Sequence, residues 1–167
     1  MSNISIDWTF ALALWGAVLS TILAVREFTK DRVSVRVTCE PGKRKRIALV
    51  SFDEYPTETY DTIIVTVLNA GHRQADIVRL CFDLGGAILD HTDVSANGRV
   101  DLPKSLVAGE SMQVEYYVFA LEETLNYERE RVATPTLKIK RIFAKDATGK
   151  TWTCKPPQIL VTAGLAE

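Results

Sequence analysis

Residues 61–84 read DTIIVTVLNAGHRQADIVRLCFDL. Two runs alternate apolar and polar residues, and Asn69-Ala70-Gly71 separates them. A period of two belongs to a strand with one face in a core and one in water. In the first run Ile63, Val65 and Val67 share a face. In the second, Val78, Leu80, Phe82 and Leu84 stand opposite Arg79, Cys81 and Asp83. Asn and Gly supply the turn between them. This reading makes the folded part of the chain a β-protein.

The same period recurs on both sides. VSVRVTC at 33–39 places Val33, Val35 and Val37 together. SMQVEYYVFA at 111–120 sets Met112, Val114, Tyr116 and Val118 against Gln113, Glu115 and Tyr117. TLKIKRIFA at 136–144 sets Leu137 and Ile139 against Lys138 and Lys140. Shorter candidates are IALVSF at 47–52, GRVDL at 98–102 and TWTC at 151–154, and Asn97-Gly98 and Ala108-Gly109-Glu110 are turn signals. Seven or more short strands with turns between them predict a β-sandwich. One segment breaks the pattern. In ALEETLNYERERV at 120–132, Leu121 and Leu125 lie one turn apart with a charged far side, which predicts one short connecting helix of one to three turns.

The N-terminal end differs. From Trp8 to Val25 the chain reads WTFALALWGAVLSTILAV without a charge. As a helix it spans about 27 Å, close to the ~30 Å hydrocarbon core of a bilayer. A signal peptide needs a basic n-region and a small-residue cleavage site. Only Asp7 precedes the span as a charge, and Arg26-Glu27-Phe28 follows it. The segments are therefore a transmembrane anchor at 1–30, a sandwich domain at 31–162 and a C-terminal tail at 163–167. No Lys or Arg precedes the span, whereas Arg26, Lys30, Arg32 and Arg36 follow it. The positive-inside rule then predicts a single pass through the cell (inner) membrane, with the N-terminus outside and the domain in the cytoplasm. Three cysteines, Cys39, Cys81 and Cys154, form no C-x-x-C pair, which suits a reducing compartment. One stripe of the span is small: Ala13, Gly16, Ala17, Ser20 and Ala24. Small residues let helices approach, so the stripe is a candidate for homo-oligomer or partner association.

The order of VTVLNAGHRQADIVRLCFDL, LPKSLVAGESMQVEYYV and IFAKDATGKTW, over roughly residues 60–155, resembles bacterial immunoglobulin-like sandwich modules. It is also similar to small bacterial single-pass membrane proteins of unassigned function that carry such a module. The matching positions are turn and core residues, so the resemblance implies a fold and leaves function open.

Several stretches invite a chemical reading. AKDATGKT at 144–151 fits [AG]-x-x-x-x-G-K-[ST]. A phosphate loop needs a strand before it and a helix after it, because helix N-terminal amides face the phosphates. Here TWTCKPPQ follows, so the stretch is expected to be a hairpin turn with Gly149 at positive φ and Asp146 bonded to nearby backbone. His72 and His91 are expected as solvated loop residues, with no nucleophile motif beside them. The cysteines and histidines lack zinc spacing. Asp53-Glu54 and Glu122-Glu123 are expected in solvent. No catalytic residue, cofactor or metal is expected.

The run PGKRKR at 41–46 is the one dense charge cluster. Placed in a loop between the first two strands, Lys43, Arg44, Lys45 and Arg46 are candidates for contact with anionic lipid. The net charge of −1 and the lack of an aromatic platform beside the run disfavour nucleic acid. These signs predict a non-enzymatic, membrane-anchored module that scaffolds or binds a protein partner. The alternatives are an envelope-facing adhesion or exclusion protein of reversed topology, and an enzyme using a loop histidine.

Overall fold

The computed structural model describes residues 8–30, 33–47, 57–94, 96–97 and 100–167. The chain opens with α1 (Trp8–Lys30). Its segment Trp8–Glu27 has a mean hydropathy of 1.9, and none of it is buried against the rest of the chain. By length and composition this helix is long and apolar enough to cross a membrane.

The remainder is mainly β. Its strands are β1 (Val35–Ile47), β2 (Thr57–Asn69), β3 (Ala75–Asp83), β4 (Ile88–Asp90), β5 (Ala96–Asn97), β6 (Lys104–Leu106), β7 (Ser111–Tyr117), β8 (Arg141–Asp146) and β9 (Thr151–Cys154). Two more helices are α2 (Val118–Val132) and α3 (Gln158–Thr162). The first antiparallel sheet runs β1-β2-β7-β5, and the second runs β4-β3-β8-β9 with β6 also paired to β3. Ile77 shows the arrangement: it faces Asp146 of β8 on one side and Lys104 of β6 on the other.

The sheets face each other across one core. Ile63, Val65 and Val67 of β2 are fully buried, as are Leu80 and Phe82 of β3 and Ile142 of β8. Phe82 meets Tyr116 of β7 edge to face, with ring centroids 5.1 Å apart, so aromatic contact joins the two layers. Leu121 and Leu125 are the buried residues of α2 predicted from its spacing, and they belong to the same core.

Five expectations are corrected. First, β1 does not end at Cys39; it continues through the basic run to Ile47, because β2 begins at Thr57 and offers a partner at every position. Of IALVSF, residues 48–52 lie outside the described residues. Second, α2 has 15 residues, about four turns. It begins at Val118, so that residue leaves the strand. Third, the described part of GRVDL, Val100–Leu102, is irregular, and the strand there is β6. Fourth, the alternation slips twice. A register shift between Ile77 and Arg79 buries Ile77 and leaves Val78 half-buried. Leu137 and Ile139 are buried ahead of β8, in irregular chain. Fifth, residues 163–167 are not a free tail. Leu165 and Ala166 are buried, Ile139 N–H donates to Leu165 O at 2.8 Å, and Ile139 bridges Ala166 in parallel.

Candidate functional site

AKDATGKT forms the turn between β8 and β9. Asp146 organises it. Its carbonyl accepts Gly149 N–H at 3.0 Å, and its Oδ1 accepts Lys150 N–H at 2.9 Å and the Thr148 hydroxyl at 2.7 Å. Gly149 has φ of 89°, a conformation that favours glycine. The amides that a phosphate loop would point at a phosphate here point at Asp146. The next element is strand β9, as expected.

His72 is exposed in its turn. His91 departs from the expectation of a solvated loop residue, because its side chain is only 12% exposed. It lies in a 3₁₀ turn, His91–Asp93, directly after β4. Nδ1 is 2.7 Å from Asp90 Oδ1, and Nε2 is 3.4 Å from Val100 O. Asp90 also holds neighbours from β3: the Cys81 thiol at 3.9 Å and Arg79 Nε at 3.9 Å, both at Oδ2. A thiol, a carboxylate and an imidazole thus come together, but in the wrong order for nucleophilic chemistry. A reactive cysteine needs a base or a cation to favour its thiolate. Burial, and then the Asp90 carboxylate, push the Cys81 thiol up to about 11. The other two thiols are also raised, chiefly by burial, Cys39 to about 12 and Cys154 to about 11. Among the described residues, no three His, Cys, Asp or Glu side chains assemble as metal ligands.

The basic run sits on the C-terminal half of β1. Lys43 is eight residues beyond Val35, which carries it about 27 Å along the strand. The register sets a carboxylate against the run: Lys43 stands opposite Asp61. Arg44 Nη1 lies 2.5 Å from Glu115 Oε2 on β7. That ion pair joins β1 to β7, so it crosses β2, and the diagonal between its two rows passes Thr62. Thr62 is fully buried, with its hydroxyl unpartnered. Acidic partners set against Lys43 and Arg44 reduce the field that the run suggests on its own.

Beside Arg44 the fold assembles a patch that no motif announces, which corrects the expectation that no aromatic platform accompanies the basic run. Tyr60, Tyr117 and Phe119 pack ring on ring, with centroids 6.0, 5.5 and 5.3 Å apart. Phe119 remains 47% exposed. Tyr60 is the cross-strand partner of Arg44, and Tyr117 is that of Thr62. The Tyr60 hydroxyl donates to Glu58. The only hint in the sequence was that Tyr60 and Tyr117 share the solvent-side parity of their strands. Which strands would be neighbours was not readable. The outer face of β1-β2-β7 therefore combines an aromatic centre with a balanced Arg/Glu rim, a composition common at protein interfaces.

On α1 the small stripe of Ala13, Gly16, Ala17, Ser20 and Ala24 is exposed along its length. Ser20 and Thr21 hydroxyls donate to Ala17 O at 3.0 and 2.8 Å, so neither brings an unsatisfied hydroxyl into an apolar medium. Glu122 and Glu123 are exposed as expected, and Asp53-Glu54 lies outside the described residues. Comparison of the chain with protein-family models, with curated proteins and with solved structures finds no match.

Proposed function

We propose that the chain is a non-enzymatic, single-pass membrane protein whose immunoglobulin-like sandwich binds or scaffolds another protein at the cytoplasmic face of the inner membrane. The observation that carries this reading is α1, a charge-poor helix of membrane-spanning length, of whose segment Trp8–Glu27 none is buried among the described residues. It is joined through residues 31–34 to a folded domain. The immunoglobulin-like assignment draws support from strand order. Taking β1, β2, β7 and β5 as A, B, E and D, and β4, β3, β8 and β9 as C′, C, F and G, reproduces the two-sheet order of that fold, with α2 in the E-to-F crossover. Cytoplasmic placement draws on the Lys and Arg after the span. The protein partner is suggested by the Tyr60–Tyr117–Phe119 face and its charge-balanced rim, which suits protein better than nucleic acid.

Two measurements test the reading. Carbonate-washed membranes should retain the full chain, and recovery in the soluble fraction would sink the anchor. Topology is best read with an added thiol at an exposed α2 site, Glu123→Cys, because the native thiols are at least half-buried. A membrane-impermeant maleimide should label it only after lysis. Labelling in intact cells would instead indicate an envelope-facing domain.

A further inference from the structure

We propose that His91 is a protonation-gated strap that fastens the crossover between the two sheets. His91 follows β4, an edge strand of the second sheet, and Val100 follows β5, an edge strand of the first. One imidazole touches both: Nδ1 meets Asp90 Oδ1 at 2.7 Å, and Nε2 meets Val100 O at 3.4 Å. A carboxylate and a carbonyl can only accept. A neutral imidazole has one N–H and one lone pair, so it satisfies one contact and turns its lone pair on the oxygen of the other. The protonated ring donates to both. With the side chain 12% exposed, water replaces the lost donor poorly.

The charged and titratable groups around the ring fit this role. Asp90 is the direct acceptor. Asp93, in the same 3₁₀ turn, is held by Asp90 N–H at 2.9 Å. From β3, the Cys81 thiol and Arg79 both address the far oxygen of Asp90, leaving Oδ1 to the ring. Asp101, exposed, follows Val100. At one end of the strap Val94 is buried, and at the other Val100, with Leu102 just beyond it, packs on the core. Releasing the Nε2 contact therefore loosens the hold on Val100 and Leu102. The inference is independent of the partner and of the membrane topology.

The test uses the full chain in detergent micelles with ¹⁵N-labelled histidine. Ring ¹⁵N shifts report protonation at each nitrogen, and exposed His72 serves as the internal reference. Amide exchange over residues 88–94 and 100–102, corrected for intrinsic rates and referred to the β2 amides Ile63–Val67, is measured from pH 5.5 to 8. Protection of the segment should fall by about fivefold as the His91 ring loses its proton, the effect of one hydrogen bond. His91→Gln should abolish that pH dependence. If the variant does not fold, the wild-type data still decide. Protection that stays constant while the His91 ring deprotonates would overturn the proposal, as would the same pH dependence in His91→Gln.

Discussion

Gly42 lies in the middle of β1, opposite Thr62, where a side chain would ordinarily be favoured. A Cβ built there would sit 2.7 Å from Thr62 Oγ1, 3.2 Å from Ile64 Cδ1 and 3.4 Å from Ile64 Cγ1. Side chains of the central strand lean over the edge strand at this point, and the Arg44–Glu115 pair spans them. Gly42→Ala gains roughly 0.5–1 kcal/mol from the lost flexibility of glycine in a strand. Against this, overpacking costs roughly 1–3 kcal/mol, because the Thr62 hydroxyl has to move beneath a bridging ion pair. The net expectation is destabilisation of about 1 kcal/mol, read as a lower urea midpoint by far-UV circular dichroism with the slope unchanged. Gly86→Ala is the control, since nothing lies within 4 Å of its added Cβ. Thr62→Ala removes the obstructing atom, so the double variant should be more stable than the sum of the single effects by at least about 0.5 kcal/mol. Additive effects, or a stabilised Gly42→Ala, would refute the packing argument.

Tyr116 buries a hydroxyl without a partner, and burial pushes its phenol far above the ordinary range. Tyr116→Phe should therefore stabilise the domain by about 1 kcal/mol in the same urea assay, and a loss of stability would show that the hydroxyl is satisfied. The Asp83 carboxyl is held below its usual range, first by the Gly85 amide at 2.8 Å and then by Arg141 at 2.6 Å. A depressed carboxyl stabilises the fold above its unfolded titration range and loses that contribution as pH falls through the folded one. Stability should thus decline below about pH 4, and Asp83→Asn should flatten that decline. At pH 8 the thiols of Cys81 and Cys154, both near 11, are about a thousandth ionised, so native-state alkylation should run about a hundredfold slower than in urea. Equal rates would contradict their burial.

The strands that alternate cleanly were legible, and the places where they slip were not. Ile63, Val65 and Val67 needed only period two. The shift between Ile77 and Arg79 was hidden because Ile77 and Val78 are both apolar, and only the pairing with β8 decides which turns inward. PGKRKR looked like a loop because Pro, Gly and four charges rarely build a central strand. On an edge strand they are well placed, since Pro and Lys there discourage pairing with another chain. His91 and the Tyr60–Tyr117–Phe119 patch were beyond sequence reasoning for a common reason. Both depend on neighbours from other strands, and local pattern carries no information on strand order. The tight turn at Asp146–Gly149 depends on four consecutive residues, and it was read correctly.

The interleaving of the two sheets along the chain bears on how the domain is acquired. Among the described strands, β1–β2, β3–β4 and β8–β9 pair with the next strand in sequence, while β2 waits for β7 and β3 waits for β6 and β8. Loop-closure entropy for the distant pairings must be met before they return any contact energy, which places such topologies at the slow, millisecond-to-second end of small-domain folding. Until β8 arrives, the edge of β3 that it pairs with has no hydrogen-bonding partner. Cells making this protein would thus hold a sticky half-built sheet for the time it takes to synthesise some sixty residues.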